Sequence, residues 1–351
     1  MELELRREHL QTVARITFSN FIIVPAISLS LAADTLGTNR CISYGETLVS
    51  SDLTFKLGFF TPGNSSMSYL GMWYKVSPET VVWVANRNNP LADRDGVLTF
   101  NNVGNLVVLN ESNAVVWSSK SSRILRNPVA HLLNSGNLVL WDNSGSSTHE
   151  AYSWQSFDYL SDTLLVGMKL GLNFRTGLEH HLTSWTSTDD PSRGDFTYTY
   201  KIDGLPQIEV VSKGSVKVYR TGPWNGVAFS GASMEANSVV NPVIVNNSTD
   251  AYLTIKTLKE DITAKVVISR DGIIECHLLK SGSTEWDLIY SFPHDPCDSY
   301  GQCGSNGVCR VNQRPRCLCL QGFKPKSRDE WDMLNSTEGC IRKIPFVATA
   351  F

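Results

Sequence analysis

The sequence predicts an all-β protein with two sheet domains followed by a small disulfide-rich module. Residues 45–154 consist of short apolar runs separated by Gly and Asn turns, and almost no run has helical period. Residues 155–290 continue this pattern. Six of the eight cysteines then lie between Cys297 and Cys340, a density above the roughly 8–10% that marks a disulfide scaffold. A module of this kind forms in an oxidising compartment.

Composition excludes several classes of function. Charged residues make up 19% of the 351 residues and aromatic residues 10%, which suits packed sheets and argues against a coiled coil or a disordered chain. The formal net charge is only −3, so there is no basic field to hold a phosphate backbone. We therefore expect no nucleic-acid partner.

The N-terminus predicts export. Three arginines precede an apolar stretch at residues 21–33, and Ser30-Leu31-Ala32 supplies small residues at the spacing a signal peptidase reads. We expect a signal peptide over residues 1–32, with an unprocessed N-terminus as the alternative. No other apolar segment reaches the roughly 20 residues that span a bilayer. The expected location is secreted or on the extracellular face of the plasma membrane.

The first sheet domain, residues 33–154, contains an internal repeat. GNLVVL at 104–109 returns as GNLVLW at 136–141, and Trp83 and Trp117 lie 34 residues apart. A period near 30 with about four short strands predicts one sheet per unit, and such sheets bury their apolar faces only against one another. We expect three sheets around a common core, with the tryptophans packed in it rather than stacking on a ligand.

The second sheet domain, residues 155–292, also lacks helical periodicity. Strands are predicted at 196–202, 208–212 and 216–220, and the Asp-Gly pairs at 203–204 and 271–272 predict hairpins. No catalytic, metal-binding or cofactor site stands out. His180-His181 lacks the spacing of a zinc-protease motif, and Asp189-Asp190 beside Pro191 is typical of a turn.

Several runs resemble a known family. They are GETLVSS (45–51), LGFF (57–60), VVWVANRNNPL (81–91), WQSFD (154–158), DTLLVGMKLG (162–171), SWTSTDDPSRGDF (184–196), GPWNGVAFSG (222–231) and CLCLQGF (317–323). In this order they resemble the ectodomain of plant S-locus glycoproteins and G-type lectin S-receptor-like serine/threonine kinases. The run at 158–167 departs from the family by lacking its prolines.

The resemblance implies an architecture for each segment. Residues 33–154 form a bulb-type lectin domain of β-prism architecture, and residues 155–292 form a second, lectin-like S-locus glycoprotein domain. Residues 293–340 form an EGF-like module, and residues 341–351 are the start of a PAN domain.

The cysteine spacing alone allows 15 pairings. Resemblance to EGF modules implies Cys297–Cys309, Cys303–Cys317 and Cys319–Cys340, although Cys340 could instead belong to the PAN domain. A zinc site is the rival hypothesis, but the single residue between Cys317 and Cys319 is too short a gap for a zinc knuckle. Cys41 and Cys276 either pair with each other or stay free.

The resemblance also points to sugar-site positions. The bulb-lectin motif Gln-x-Asp-x-Asn-x-Val-x-Tyr aligns with positions 101–109 and 133–141, where only its Asn and Val are kept at both. The remaining degenerate positions are Asn101, Asn105, Val107, Asn137 and Val139. We expect weak or no mannose binding. Glycan acceptors are predicted at five sequons: Asn64, Asn110, Asn246, Asn247 and Asn335.

The expected function is ligand recognition rather than catalysis. Full-length relatives carry a cytoplasmic kinase, but this chain has no Gly-rich phosphate loop and no His-Arg-Asp or Asp-Phe-Gly run. The leading hypothesis is the extracellular region of a receptor-like kinase that binds a protein or peptide ligand in pollen recognition or defence. Residues 201–215 and 233–250 are the first loops to consider for that ligand. The alternatives are a secreted mannose- or glycan-binding lectin and a soluble decoy that forms homodimers or heterodimers with full-length receptors.

Overall fold

A computed structural model describes residues 33–121, 123–144, 152–212, 215–231 and 239–344. The predicted signal peptide and most of the predicted start of a PAN domain lie outside these ranges. In the described part, regular structure is almost entirely strand, and the one α-helix is α1 (Arg328–Asp332). None of the helices in these ranges has the length and apolar character needed to cross a membrane. The all-β prediction is confirmed.

Three four-stranded antiparallel sheets form the first prism. Their strands are β1 (Thr35–Gly37), β2 (Ile42–Ser43), β3 (Thr47–Val49), β4 (Phe55–Phe60), β5 (Tyr69–Tyr74), β6 (Ser77–Val84), β7 (Val97–Phe100), β8 (Leu106–Leu109), β9 (Val115–Ser118), β10 (Pro128–Leu132), β11 (Leu138–Asp142) and β12 (Trp154–Gln155). The sheet orders are β1-β10-β11-β12, β2-β7-β8-β9 and β3-β4-β5-β6. The predicted arrangement of one sheet per repeat is confirmed.

A tryptophan cluster links the three sheets of the first prism. Each sheet contributes one ring from its last strand: Trp83 from β6, Trp117 from β9 and Trp154 from β12. The ring centroids are 5.7–6.2 Å apart in edge-to-face geometry, which aromatic pairs favour. The tryptophans therefore pack in the core, as the sequence predicts.

The second prism also has three four-stranded sheets. Its strands are β13 (Thr163–Leu165), β14 (Leu170–Asn173), β15 (Glu179–His180), β16 (Leu182–Ser187), β17 (Asp190–Lys201), β18 (Gln207–Ser212), β19 (Val216–Arg220), β20 (Val240–Asn246), β21 (Asp250–Thr257), β22 (Ile262–Ile268), β23 (Ile274–Lys280) and β24 (Asp287–Phe292). The orders are β13-β22-β23-β24, β15-β14-β21-β20 and β16-β17-β18-β19. Both predicted Asp-Gly hairpins are present, between β17 and β18 and between β22 and β23.

The cysteine module follows the second prism. It contains β25 (Gly307–Cys309), β26 (Cys317–Cys319), β27 (Phe323–Pro325), α1 and β28 (Cys340–Arg342). Its disulfides join Cys297 to Cys309, Cys303 to Cys317 and Cys319 to Cys340, the pairs that the resemblance implies. The remaining two cysteines are unpaired: Cys41 is exposed and Cys276 is buried in the second prism.

Arg87 joins the two prisms. It follows β6 in the first prism and is 7% exposed. Its Nε donates to the carbonyl of Pro191 at 2.7 Å, and its Nη2 donates to the carbonyls of Thr183 and Ser184 at 3.1 and 2.9 Å. Burial lowers the pKa of Arg87 to about 10, so the guanidinium stays charged at neutral pH. At this interface a charged group of the first prism therefore caps backbone carbonyls of the second.

Candidate functional site

In the first prism, the positions aligned with the sugar motif hold turns together. Gly104 and Gly136 have φ of +82° and +80°, where glycine is favoured. Asn101 Oδ1 accepts from the backbone N–H of Asn105 at 2.9 Å. Asn105 Oδ1 in turn accepts from the N–H of Ser121 at 2.7 Å. These amide oxygens are directed at the protein's own backbone.

Asn137 has the same role in the next repeat. Its Nδ2 donates to Gln155 Oε1 at 2.9 Å, and its Oδ1 accepts from the Ser156 hydroxyl and the Phe157 N–H, both at 3.2 Å. Val107 and Val139 are 2% and 0% exposed. The retained Asn and Val of the motif are therefore used for internal support.

One hydrogen-bond device recurs in both prisms and was not predicted from the sequence. A side-chain oxygen that follows the fourth strand of a sheet accepts the N–H of a buried residue in the third strand. The pairs are Asn86 with Leu70, Ser119 with Leu106, Ser156 with Leu138, and Thr221 with Ile208, at 2.8–3.1 Å. We call these oxygens strand braces. Three of them brace the three sheets of the first prism, and the fourth braces the β16–β19 sheet of the second.

The second prism carries a polar concave surface on the solvent side of its β16–β19 sheet, and we call it the outer sheet face. Its cavity has a volume of about 730 Å³. Tyr198, Ile208 and Val210 point inward and are at most 1% exposed, so the alternating residues point outward. Outward residues that line the cavity include Thr183, Thr197, Thr199, Lys201, Glu209, Val211 and Lys217.

Opposite charges are paired on the outer sheet face. Lys217 Nζ lies 2.6 Å from Glu209 Oε1, and this bond raises the pKa of Lys217. Lys201 Nζ lies 3.7 Å from Glu179 Oε1, which also accepts from the Thr199 hydroxyl at 3.2 Å. Lys201, Lys217 and Glu179 are partly exposed and are available to a partner, whereas Glu209 is buried beneath Lys217.

A second concave surface lies where the prisms meet. We call it the interprism groove, a cavity of about 670 Å³. Its lining includes Asn137, Gln155 and Asp158 before β13, and Lys169, His180 and Asp250 within the second prism. Glu179 and His180 are neighbours in β15, and each lines a different one of the two surfaces.

The two segments that the sequence singled out as loops include strands: β18 (Gln207–Ser212) lies in the first segment and β20 (Val240–Asn246) in the second, so that prediction is wrong for these residues. Residues 201, 209, 211, 212 and 215 of the first segment line the outer sheet face. Asp250, at the end of the second segment, lines the interprism groove, while residues 232–238 lie outside the described ranges. Four sequon asparagines are exposed (Asn64, Asn246, Asn247 and Asn335), and Asn110 is half-buried in a turn.

Comparisons with protein families give two matches. The family described as D-mannose binding lectin matches residues 80–186, and the S-locus glycoprotein domain family matches residues 219–327. The first match therefore extends from the first prism into the second. The second match runs from β19 into the cysteine module.

Curated relatives match nearly the whole chain. S-locus-specific glycoprotein S6 of Brassica oleracea is 40% identical over 331 residues, which cover 93% of this chain and 75% of that protein. Receptor-like serine/threonine-protein kinase SD1-8 of Arabidopsis thaliana is 38% identical over 326 residues, covering 92% of this chain but only 38% of the kinase. The chain thus corresponds to most of the glycoprotein and to a minority of the kinase.

Solved structures include a mannose-specific agglutinin from snowdrop (Galanthus nivalis) bulbs, complexed with methyl-α-D-mannoside. It is 23% identical and covers 34% of this chain and 97% of the agglutinin, with a TM-score of 0.27. A score this low carries no argument about function.

Proposed function

We propose that this chain, which belongs to the S-locus glycoprotein family, is an extracellular ligand-recognition region that binds a protein or peptide through the outer sheet face. In a receptor-like relative this region would stand outside the cell and pass its signal to a kinase that these 351 residues do not contain. The three disulfides support an oxidising, extracellular location.

The outer sheet face carries this proposal. Strands fix the positions of Lys201, Lys217 and Glu179, so the charges that reach solvent are already oriented before a partner arrives. Preorganised charges of both signs favour a partner with a complementary pattern and disfavour others. A folded peptide or a protein surface can supply such a pattern, whereas a neutral monosaccharide offers no charge to match.

The alternative of a mannose lectin has less support. The amide oxygens of Asn101, Asn105 and Asn137 accept bonds from the protein itself. A sugar hydroxyl at these positions would compete with bonds that hold the turns. Mannose binding at the motif positions is therefore not part of the proposed function.

Photo-crosslinking tests the proposal because it captures a partner whose identity is not known. A photoreactive amino acid replaces Thr197, in the centre of the outer sheet face, and the full chain is irradiated in extracellular fluid from the source plant. The matched control carries the same amino acid at Lys256, an exposed position on β21. We expect a protease-sensitive adduct of discrete mass from position 197 and none from position 256.

Two results would contradict the proposal. One is an adduct that glycosidases remove and proteases do not, which would favour the glycan-binding alternative. The other is the same yield from both positions, or no adduct specific to position 197, which would show that the outer sheet face binds no partner in that fluid.

A further inference from the structure

The interprism groove holds a carboxylate in a fixed position. Asn137 Nδ2 donates to Gln155 Oε1 at 2.9 Å, and Gln155 Nε2 donates to Asp158 Oδ1, also at 2.9 Å. Asn137 is itself held by the Ser156 hydroxyl and the Phe157 N–H. This series of hydrogen bonds therefore fixes the orientation of the Asp158 carboxylate. The Asp158 side chain is 35% exposed, and its Oδ2 makes no hydrogen bond within the described residues.

His180 provides a second polar atom that faces the groove, and this atom is an acceptor in the tautomer that carries its proton on Nδ1. The residue is 6% exposed, and its Nε2 is buried without a hydrogen-bond partner in the described part of the chain. This nitrogen lies 3.5 Å from Asp158 Oδ1, beyond a good hydrogen bond. Buried polar atoms in native proteins are usually partnered by protein groups or water, so an atom of this kind beside a cavity is available to a ligand group.

The groove's own cation is already engaged. Lys169 Nζ lies 3.7 Å from Asp250 Oδ1 and 4.6 Å from the ring centre of Tyr252. Asp250 is satisfied as well, since it also accepts from the Thr249 hydroxyl at 2.7 Å and from Asn173 Nδ2 at 3.1 Å. What remains for a ligand is the charged Asp158 carboxylate, together with His180 Nε2 as an acceptor in the tautomer protonated on Nδ1.

The Asp158 oxygen and the His180 nitrogen determine which ligand group fits the groove. A guanidinium carries five N–H donors and no acceptor, so it complements a carboxylate oxygen beside an unpartnered imidazole nitrogen. A carboxylate or phosphate would add acceptors and negative charge. Tyr159 also lines the groove, is half exposed, and stacks its other face on Trp154 at 5.7 Å. Its open face can receive a planar cation.

We propose that the interprism groove binds a guanidinium group, presented as an arginine side chain of the protein or peptide partner. This inference rests on the proposed function for the nature of the partner, but the groove and its chemistry are separate from the outer sheet face. The bound guanidinium donates to Asp158 Oδ2 and to His180 Nε2 and lies against Tyr159.

The test uses small probes on the full secreted chain. Acetyl-arginine amide, its neutral isostere acetyl-citrulline amide, and methyl mannoside are titrated separately by ligand-observed NMR. We expect arginine to bind at least tenfold more tightly than citrulline, and methyl mannoside not to compete. Asp158→Asn should weaken arginine binding about tenfold, whereas Asp271→Asn, at a carboxylate 71% exposed and outside the groove, should leave it unchanged.

A variant that is expected to bind arginine more tightly guards against loss of binding through misfolding. Lys169→Met removes the groove's cation, so we expect it to strengthen arginine binding several-fold, a result that misfolding cannot produce. Equal binding of citrulline, an unchanged affinity in Asp158→Asn, or competition by methyl mannoside in the groove would overturn the proposal. The crosslink at position 197 is measured separately, so loss of arginine binding with an intact crosslink defeats only the groove proposal.

Discussion

The two prisms have the same set of three four-stranded sheets, but only the first displays its repeat in the sequence. In the first prism, Gly104 and Gly136 allow two equivalent turns, and Asn105 and Asn137 hold them. In the second, β17 is twelve residues long and pairs with β16 through two register shifts, so no common spacing survives. The architecture therefore depends on buried alternation and strand braces, while the Gly-Asn turn is one of several ways to connect strands.

The largest expected effect is that of disulfide reduction, which should destabilise the cysteine module but not the two prisms. Among the described residues 293–344, the buried hydrophobic side chains are both cysteines of the Cys303–Cys317 disulfide and Cys340 of the Cys319–Cys340 disulfide. Loss of one native disulfide from a small domain costs about 2–5 kcal/mol. Reduction should therefore unfold the module and leave the prisms folded. Hydrogen exchange with and without reductant measures this, and loss of protection in β8 or β18 would contradict it.

Next in size is the contact that couples the prisms. Arg87→Ala leaves three backbone carbonyls at the interface without their donor, and we expect it to lower the free energy of unfolding by about 3–5 kcal/mol. Denaturation followed separately in each prism should then show two transitions in place of one. The measurement is hydrogen exchange at a series of denaturant concentrations.

Arg94→Ala is the matched control for Arg87. Arg94 is an exposed arginine in the same prism, and its guanidinium lies 4.9 Å from the ring centre of Tyr44. Its loss should cost at most about 1 kcal/mol. If Arg87→Ala costs no more than this control, the docking of the prisms does not depend on Arg87.

The sequence predicts features that depend on neighbouring residues, and it does not predict contacts between residues far apart in the chain. The strands, the tryptophan core and the Asp-Gly hairpins depend on short-range patterns, and these predictions are confirmed. Arg87 donates hydrogen bonds to carbonyls 96 to 104 residues away, and no local sequence pattern predicts contacts at that separation. The interprism groove likewise brings together Asp158, His180 and Asp250 from separate segments. Such sites depend on how the prisms dock, which spacing along the chain does not encode.

A smaller effect tests whether the strand braces are equivalent. Ser156→Ala in the first prism and Thr221→Val in the second each leave a buried N–H, that of Leu138 or Ile208, without its acceptor. Each should lower the free energy of unfolding by about 1–3 kcal/mol, as measured by chemical denaturation. Ser281→Ala, at an exposed serine, should stay within about 0.5 kcal/mol of wild type. A neutral Thr221→Val would show that the second prism does not depend on its brace.

The smallest expected effect concerns mannose at the motif positions of the first prism. Val103 and Ser135 stand where the motif has its Asp, so the charged acceptor for sugar hydroxyls is missing at both. A hydrogen bond to a charged group contributes roughly 1.5–3 kcal/mol, whereas a dissociation constant of about 1 mM corresponds to only about 4 kcal/mol in total. Calorimetric titration with methyl mannoside should therefore detect no binding at millimolar concentration. Val103→Lys and Ser135→Lys block these positions without removing a brace, and their titrations should match wild type. Millimolar binding that either lysine abolishes would show that the motif positions still hold sugar, and that Asn105 and Asn137 serve a ligand as well as the fold.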